Sequence, residues 1–179
     1  MSKTYPIPPR LQAIVGIILA AALLRLLPHW PNVTPIAAIA LFGGAQLGRR
    51  HLAFIIPMSA MFLSDLVLGF HSTMWAVYLG FAMTVLLGSL LRGKVRIPNL
   101  FGMVITSSVL FYLLTNFAVW IGSPFYPQNL SGLMASYAAG LPFLLNSLAG
   151  NIFYSAVIFG VFHLAQQRFP QLREVGIRS

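Results

Sequence analysis

Two charged side chains, Arg25 and Asp65, interrupt stretches of sequence that are otherwise almost entirely apolar. Because a charge inside an apolar helix is costly unless it finds a partner, each of them marks a candidate site. Arg25 could pair with Asp65, bind an anionic group of a ligand, or extend its guanidinium group to a polar boundary. Asp65 could be a structural partner for Arg25, a polar anchor in a cavity, or a carboxylate that exchanges protons.

Further candidates lie at the connectors that follow these two charges. The first connector contains three prolines, which lack an amide hydrogen and prevent a helix from continuing. It is therefore predicted to be a short, rigid crossing that presents an imidazole, an indole and a carboxamide. The candidates are His29, Trp30 and Asn32 in the first connector, His71 in the second, and Trp75 and Tyr78 in the first turns of the helix that follows it.

Polar and aromatic side chains also recur at four-residue spacing in two later apolar stretches, and this spacing places them on one helix face. Such a face could line a cavity for a small organic molecule. The alternative is an aromatic belt at a membrane interface, with asparagines hydrogen-bonded between helices. The residues are Tyr112, Asn116 and Trp120 in the first stretch, and Asn146 and Tyr154, with Asn151 beside them, in the second.

Several kinds of chemistry are excluded or disfavoured by what the sequence lacks. The chain has no cysteine, which removes disulfides, thiolate metal sites and cysteine nucleophiles. It contains no phosphate-binding Gly-Lys-Ser/Thr loop and none of the common hydrolase motifs. Its four histidines do not form a ligand pair at helical spacing. We therefore predict that the protein is not an enzyme and holds neither a metal nor a cofactor.

The composition indicates a membrane protein. Hydrophobic residues make up 58% of the chain and charged residues 7%, with only two acidic side chains. The net charge of +9 comes from cations in short connectors, which is typical of membrane topology rather than of nucleic-acid binding. The expected partners are a small-molecule substrate and membrane lipid.

The apolar stretches predict an all-α, single membrane domain over residues 1–179, with six transmembrane helices. The stretch 122–142 is expected to be an uncharged connector with a short interfacial helix at 130–139. The predicted helices cover about 11–27, 35–48, 52–69, 74–91, 100–121 and 143–165.

The distribution of positive charge predicts the orientation of these helices. Lysines and arginines precede helix 1 and follow helices 2, 4 and 6, whereas the connectors after helices 1, 3 and 5 have no charged residue. Positive connectors remain in the cytoplasm, so both termini are expected there. The predicted location is the bacterial cytoplasmic (inner) membrane, crossed several times.

Small residues form a second pattern, with Gly16 and Ala20 four residues apart on helix 1. Such stripes allow two helix backbones to approach closely. They could serve packing within the protein or the docking of another membrane subunit.

Four segments carry a resemblance to known proteins: residues 34–48, 62–71, 114–122 and 146–154. Together they resemble an uncharacterised family of six-helix bacterial membrane proteins regarded as transport proteins. That family is similar in turn to the substrate-binding S components of energy-coupling factor (ECF) vitamin transporters. The resemblance extends roughly from Arg25 to Gly160.

This resemblance implies a particular arrangement. S components have six helices, both termini inside, and a vitamin-binding cavity near the outer face. The connectors that cap such a cavity would be those around residues 29–32, 70–73 and 123–128. The resemblance also implies docking, through Gly16 and Ala20, onto a transmembrane subunit with ATPases. Related solitary cobalamin transporters can ligate cobalt through cysteine, a role that His29 or His71 would have to take here.

The resulting hypothesis is a membrane protein that binds a vitamin or similar small organic solute in an outward-facing cavity for uptake. The aromatic residues that would stack on the solute are Trp30, Trp75, Tyr78 and Trp120. The residues that would orient its polar groups are Arg25, Asp65, Asn116 and Asn146. The alternatives are a self-sufficient proton-coupled carrier that uses Asp65, a solitary cobalamin transporter, and a membrane assembly protein that transports nothing.

Overall fold

A computed structural model describes residues 7–28 and 30–173 of the chain. In these residues the fold is all-α with six helices, as the sequence predicts. The helices are α1 (Pro9–Leu24), α2 (Ile36–Gln46), α3 (Arg50–Leu68), α4 (Met74–Leu90), α5 (Ile97–Gly122) and α6 (Leu130–Arg168), and a 3₁₀ turn follows at Pro170–Leu172.

The first five helices begin and end within three residues of their predicted boundaries, but the last helix differs. The prediction placed a connector with a short helix at 130–139 before a helix at 143–165. This was wrong, because α6 is one helix of 39 residues. Its start is defined by Asn129, whose side chain accepts a hydrogen bond from the Gly132 amide at 3.0 Å.

Tertiary packing explains why α6 continues through Pro142, which lies inside the helix and is exposed to its surroundings. Proline removes one backbone hydrogen bond, but the preceding turns are held against α5. The Ser136 hydroxyl donates to the Asn116 carbonyl at 2.9 Å, and the Tyr112 hydroxyl donates to the Tyr137 carbonyl at 2.6 Å. A pattern of apolar residues along one chain does not reveal such contacts.

The short helix α2 is the centre of the bundle. Residues 38–45 are all buried, and α2 contacts each of the other five helices. Its closest neighbour is α4, where Gly44 and Gly88 let the two backbones meet. A Cβ atom on Gly44 would lie 2.8 Å from the amide nitrogen of Ser89, so no larger residue fits without displacement.

Aromatic rings fill the core between α2 and α6. Phe42 makes edge-to-face contacts with Phe159 and Phe162, with ring centroids 5.3 and 5.2 Å apart. All three rings are buried. Aromatic pairs in this geometry stabilise a core beyond the area that they bury.

Two arginines cap the C-terminus of α2, and we call this side of the bundle the arginine end. Arg92 donates hydrogen bonds to the carbonyl oxygens of Gly44, Leu47 and Gly48 at 3.3, 2.7 and 3.0 Å. Arg10 donates to the carbonyl and side-chain oxygens of Gln46 at 3.2 and 3.0 Å. The last carbonyls of a helix have no partner within it and carry partial negative charge, so a guanidinium group satisfies them well.

The lengths of the helices leave space at the opposite side, which we call the cavity end. At about 1.5 Å per residue, the 11 residues of α2 extend roughly 16 Å, whereas the 26 residues of α5 extend roughly 39 Å. Because α2 ends at the arginine end, its N-terminus stops well short of the cavity end. The chain between α1 and α2 descends into the bundle to reach this point, and Val33 packs against Gly150 of α6.

Three of the helices in the described part of the chain are long and apolar enough to cross a membrane: α3, α5 and α6. The other three helices, α1, α2 and α4, are apolar but shorter. This architecture is compatible with a membrane protein.

Candidate functional site

A cavity of about 610 Å³ lies beyond the N-terminus of α2. Its walls come from the α1–α2 linker, the α3–α4 connector and helices α4, α5 and α6. Cavities of this size accommodate small organic molecules, for which the usual range is roughly 300–1,000 Å³. The cavity brings together six of the residues that the sequence singled out: Arg25, Asn32, His71, Tyr112, Asn116 and Asn151.

An ion pair between Arg25 and Asp65 lies beside this cavity. Nη1 of Arg25 contacts Oδ1 of Asp65 and donates a hydrogen bond to the Ser64 hydroxyl at 2.6 Å. The other carboxylate oxygen, Oδ2, accepts a hydrogen bond from the Tyr78 hydroxyl at 2.8 Å. Asp65 is fully buried, whereas Arg25 lines the cavity. The acid is therefore a partner of Arg25 rather than part of the wall.

Two asparagines of the wall are held by their own helices or neighbours. The side-chain amide of Asn116 donates to the Tyr112 carbonyl at 2.9 Å and lies against Gly140 of α6. Asn151 is buried and donates to the Ser108 hydroxyl at 2.8 Å. These contacts orient the carboxamides before any ligand enters.

The local backbone places Asn32 at the entrance. Its φ of +61° lies in the left-handed region, which asparagine tolerates better than most residues. A turn follows from this conformation, in which the Val33 amide donates to the Trp30 carbonyl at 3.0 Å. His71 lies on the α3–α4 connector, where Nδ1 is 3.0 Å from the Thr73 hydroxyl.

The four aromatic side chains predicted to stack on a solute do not line the cavity, and these are Trp30, Trp75, Tyr78 and Trp120. Trp30 and Trp75 are 78% and 52% exposed and do not line the cavity. Trp120 does not line it either, because its indole N–H donates to the Pro127 carbonyl at 2.9 Å. Tyr78 binds Asp65 instead. The four-residue spacing identified a helix face correctly but not what that face meets.

Two further predicted residues also lie outside the cavity wall. The Asn146 side chain donates to the Pro31 carbonyl at 3.1 Å and so anchors the α1–α2 linker to α6. Tyr154 is half-buried and contacts the neighbouring Phe153, with ring centroids 5.2 Å apart. Their residue types were compatible with a binding role, but Asn146 binds the linker and Tyr154 packs against the hydrophobic core.

The aromatic part of the wall comes largely from residues that the sequence did not single out. They are Phe81, Phe111, Tyr126 and Phe143. In a chain with 14 phenylalanines, a ring that faces a cavity cannot be distinguished by pattern from one that faces the core or lipid. The signal that could have found Tyr126 is its position in an uncharged connector at the predicted outer side.

The sequence matches, over residues 6–172, a family described as "Family of unknown function (DUF6580)". The chain belongs to this family. No curated protein matches the chain, and no solved structure matches it.

Two remaining predictions concern metal binding and docking. His29 lies outside the described residues, and within those residues no three histidine, aspartate or glutamate side chains come together as a metal site would require. Gly16 and Ala20 are exposed on α1, and a Cβ atom on Gly16 would meet no described atom within 4 Å. They are thus available to an outside partner rather than used for packing within the bundle.

Proposed function

We propose that this protein resides in the bacterial cytoplasmic membrane, crosses it six times and binds a small organic solute for uptake. The observation that carries the proposal is the cavity, which places a guanidinium group and oriented carboxamides inside an otherwise apolar bundle. Burying polar groups in apolar surroundings costs free energy, so their convergence on one cavity favours a ligand that forms hydrogen bonds with them.

The distribution of charge supports an orientation with the arginine end in the cytoplasm and the cavity facing outward. The connectors at the cavity end, residues 26–35, 69–73 and 123–129, contain no lysine, arginine, aspartate or glutamate. The connectors at the arginine end are basic, and the 91–96 connector alone holds three cations. Retention of positive connectors in the cytoplasm would place both termini there.

The position of α2 is compatible with a membrane location although this helix is too short to cross a bilayer. A spanning helix needs about 20 residues, and α2 has 11. The irregular chain directly before it contacts α6, where Val33 lies beside Gly150 and the Pro31 carbonyl accepts from Asn146. Contact with protein is the situation in which non-helical backbone is tolerated at membrane depth.

Passage of the solute would require a change of conformation or orientation. Along α2 and α6, the contacts of Phe42 with Phe159 and Phe162 lie between the cavity-lining residues and the arginine end. These buried rings are packed in direct contact and fill this part of the bundle. A partner subunit that moves the loaded protein is one means of delivery, and the exposed Gly16 and Ala20 are available for docking an ECF-type transmembrane subunit with its ATPases.

Native mass spectrometry of the purified protein tests this proposal by detecting a co-purifying small molecule. The Ala139→Trp variant fills the cavity, because Ala139 lines it, and is expected to lose the bound molecule. The matched control is Ala149→Trp on the same helix, where the alanine is exposed and lies outside the cavity wall. An Ala139→Trp protein that retains the same bound molecule as the control would contradict the proposal.

A further inference from the structure

We infer that the solute is an organic carboxylate and that Arg25 binds its carboxylate through the Nε–Nη2 edge of the guanidinium group. This inference rests on the proposed function, since it names the class of molecule that the same cavity would take. It follows from how Arg25 is held, from the helix end that faces the cavity, and from the absence of an acidic side chain in the described wall.

Among the described residues, a single nitrogen of the Arg25 guanidinium group has partners. Nη1 contacts Asp65 and donates to Ser64, and it lies 3.5 Å from the carbonyl oxygen of Met61. Among the described residues, the N–H groups on Nε and Nη2 have no acceptor. These two nitrogens form the planar fork that binds a carboxylate through two parallel hydrogen bonds. Because Arg25 lines the cavity, a ligand can reach this fork.

Asp65 and Tyr78 position the fork without occupying it. Asp65 is fully buried, and it is held in turn by the Tyr78 hydroxyl at 2.8 Å. Two helices, α3 and α4, therefore fix the guanidinium group at the end of α1. Asp65 is a positioning residue, and the preorganised fork loses little conformational entropy when an anion binds.

The N-terminus of α2 adds positive potential to the same cavity. Ile36 and Ala37 line the wall, and their amides, with that of Ala38, have no acceptor among the described residues. The N-cap residue is Pro35, which has no polar side chain to supply one. A helix N-terminus carries roughly half a positive charge. The charges of Arg25 and Asp65 cancel, so this partial charge leaves the cavity favourable to an anion.

No acidic side chain among the described residues lines the cavity, which distinguishes an anionic solute from a cationic one. A cation would meet guanidinium N–H groups and the α2 N-terminus at close range, because Asp65 lies behind Arg25 and no carboxylate of the described residues lines the wall. A neutral solute would leave the fork desolvated without a strong acceptor, which is costly. A carboxylate is attracted by the positive potential and also supplies the acceptor oxygens that the fork needs.

The remaining residues of the cavity wall indicate the chemistry of the rest of the solute. Phe111, Phe143 and Tyr126 offer apolar and aromatic surface, while Asn116 and Asn151 offer hydrogen bonds. A molecule that fits has a carboxylate at one end and a ring or short apolar chain with a few polar atoms at the other.

Matched acids and amides test this inference on the purified full-length protein. The probes are benzoate with benzamide, nicotinate with nicotinamide, and hexanoate with hexanamide, measured by thermal stabilisation and by isothermal titration. Each amide keeps the shape of its acid but replaces one oxygen of the negatively charged carboxylate with an uncharged NH2 group. Arg25→Lys keeps a positive charge beside Asp65 but removes the fork, and Arg96→Lys, an exposed connector arginine, is the matched control.

We expect at least one acid to bind roughly tenfold or more tightly than its amide. Arg25→Lys should weaken that acid by roughly tenfold or more, with little effect on its amide, and Arg96→Lys should change neither. The comparison on the unmodified protein decides the matter even if Arg25→Lys does not fold. Equal affinities within every pair, preference for the amides, or no binding by any acid overturns the inference.

The two proposals can fail separately. If native mass spectrometry finds a neutral or cationic molecule that Ala139→Trp excludes, the cavity binds a solute and only the carboxylate inference fails. If Ala139→Trp and Ala149→Trp proteins carry the same molecule, the proposed function fails as well.

Discussion

Arg25 and Asp65 form a buried ion pair although they lie 40 residues apart in the chain and on different helices. Their contact joins the end of α1 to α3, and the Tyr78 hydroxyl extends it to α4. The pair therefore ties three helices together at the cavity end. It also leaves the Nε and Nη2 groups of Arg25 without an acceptor among the described residues.

We predict that Asp65→Asn destabilises the protein, because it leaves the mostly buried Arg25 without its counter-charge. Breaking a buried pair from one side costs about 3–5 kcal/mol. The measurement is thermal or denaturant unfolding of the purified protein in detergent. The double variant Arg25→Met, Asp65→Leu should recover much of this stability, since it removes both charges. An Asp65→Asn protein as stable as the wild type would show that the pair contributes little.

We predict that Arg92→Ala destabilises the bundle at the arginine end. This arginine donates hydrogen bonds to the carbonyls of Gly44, Leu47 and Gly48, and their loss should cost about 2–3 kcal/mol. Arg96→Ala is the control because Arg96 is exposed, and its effect should stay within about 0.5 kcal/mol. Equal unfolding midpoints for the two variants would argue against the capping role.

We predict that Gly44→Ala reduces stability by about 1–3 kcal/mol, because the new methyl group would overlap the backbone of α4. Gly102→Ala is the matched control in α5. A Cβ atom there meets no described atom within 4 Å, so this change should stabilise the helix by roughly 0.5–1 kcal/mol. Unfolding curves of both variants, measured together, give the expected opposite signs. Destabilisation by both changes would indicate a general sensitivity to glycine replacement instead.

We predict that cysteines introduced one at a time will report the proposed membrane topology. The natural sequence has no cysteine, so each introduced thiol is the only one that can react. Ser72→Cys and Phe125→Cys lie on connectors at the cavity end and should react with a membrane-impermeant maleimide in intact cells. Arg49→Cys and Lys94→Cys lie at the arginine end and should react only after the membrane is made permeable. Labelling of Lys94→Cys in intact cells would contradict the proposed orientation.

Much of the fold could be predicted from the sequence because apolar stretches of sufficient length leave few alternatives to helices. The boundaries of α1 to α5 followed from prolines, glycines and basic connectors, which act locally. The continuity of α6 could not be predicted. It depends on contacts with α5, such as that of Ser136 with Asn116, which lie 20 residues apart.

The candidate site was predictable only in part, for a related reason. Residue type marked Arg25, Asp65, Asn116 and Asn146 as the polar groups that would orient a solute, and the structure places two of these four, Arg25 and Asn116, in the cavity wall. Asn146 instead donates to the Pro31 carbonyl. Asp65 lies behind the wall because Tyr78 and Arg25 enclose its carboxylate. Spacing along a helix specifies a face, but the neighbour of that face depends on the rest of the chain.

By itself the sequence determined the helical class, the number of helices and the separation of charged from uncharged connectors, since these depend on local composition and on the cost of burying charge. Only the tertiary structure decided that α2 is central and stops short and that a cavity occupies the space beyond it. It also decided that Arg25 turns one nitrogen to Asp65 and leaves its Nε and Nη2 groups without an acceptor among the described residues. These features arise where distant segments pack together, and close packing depends on shapes that no single segment contains.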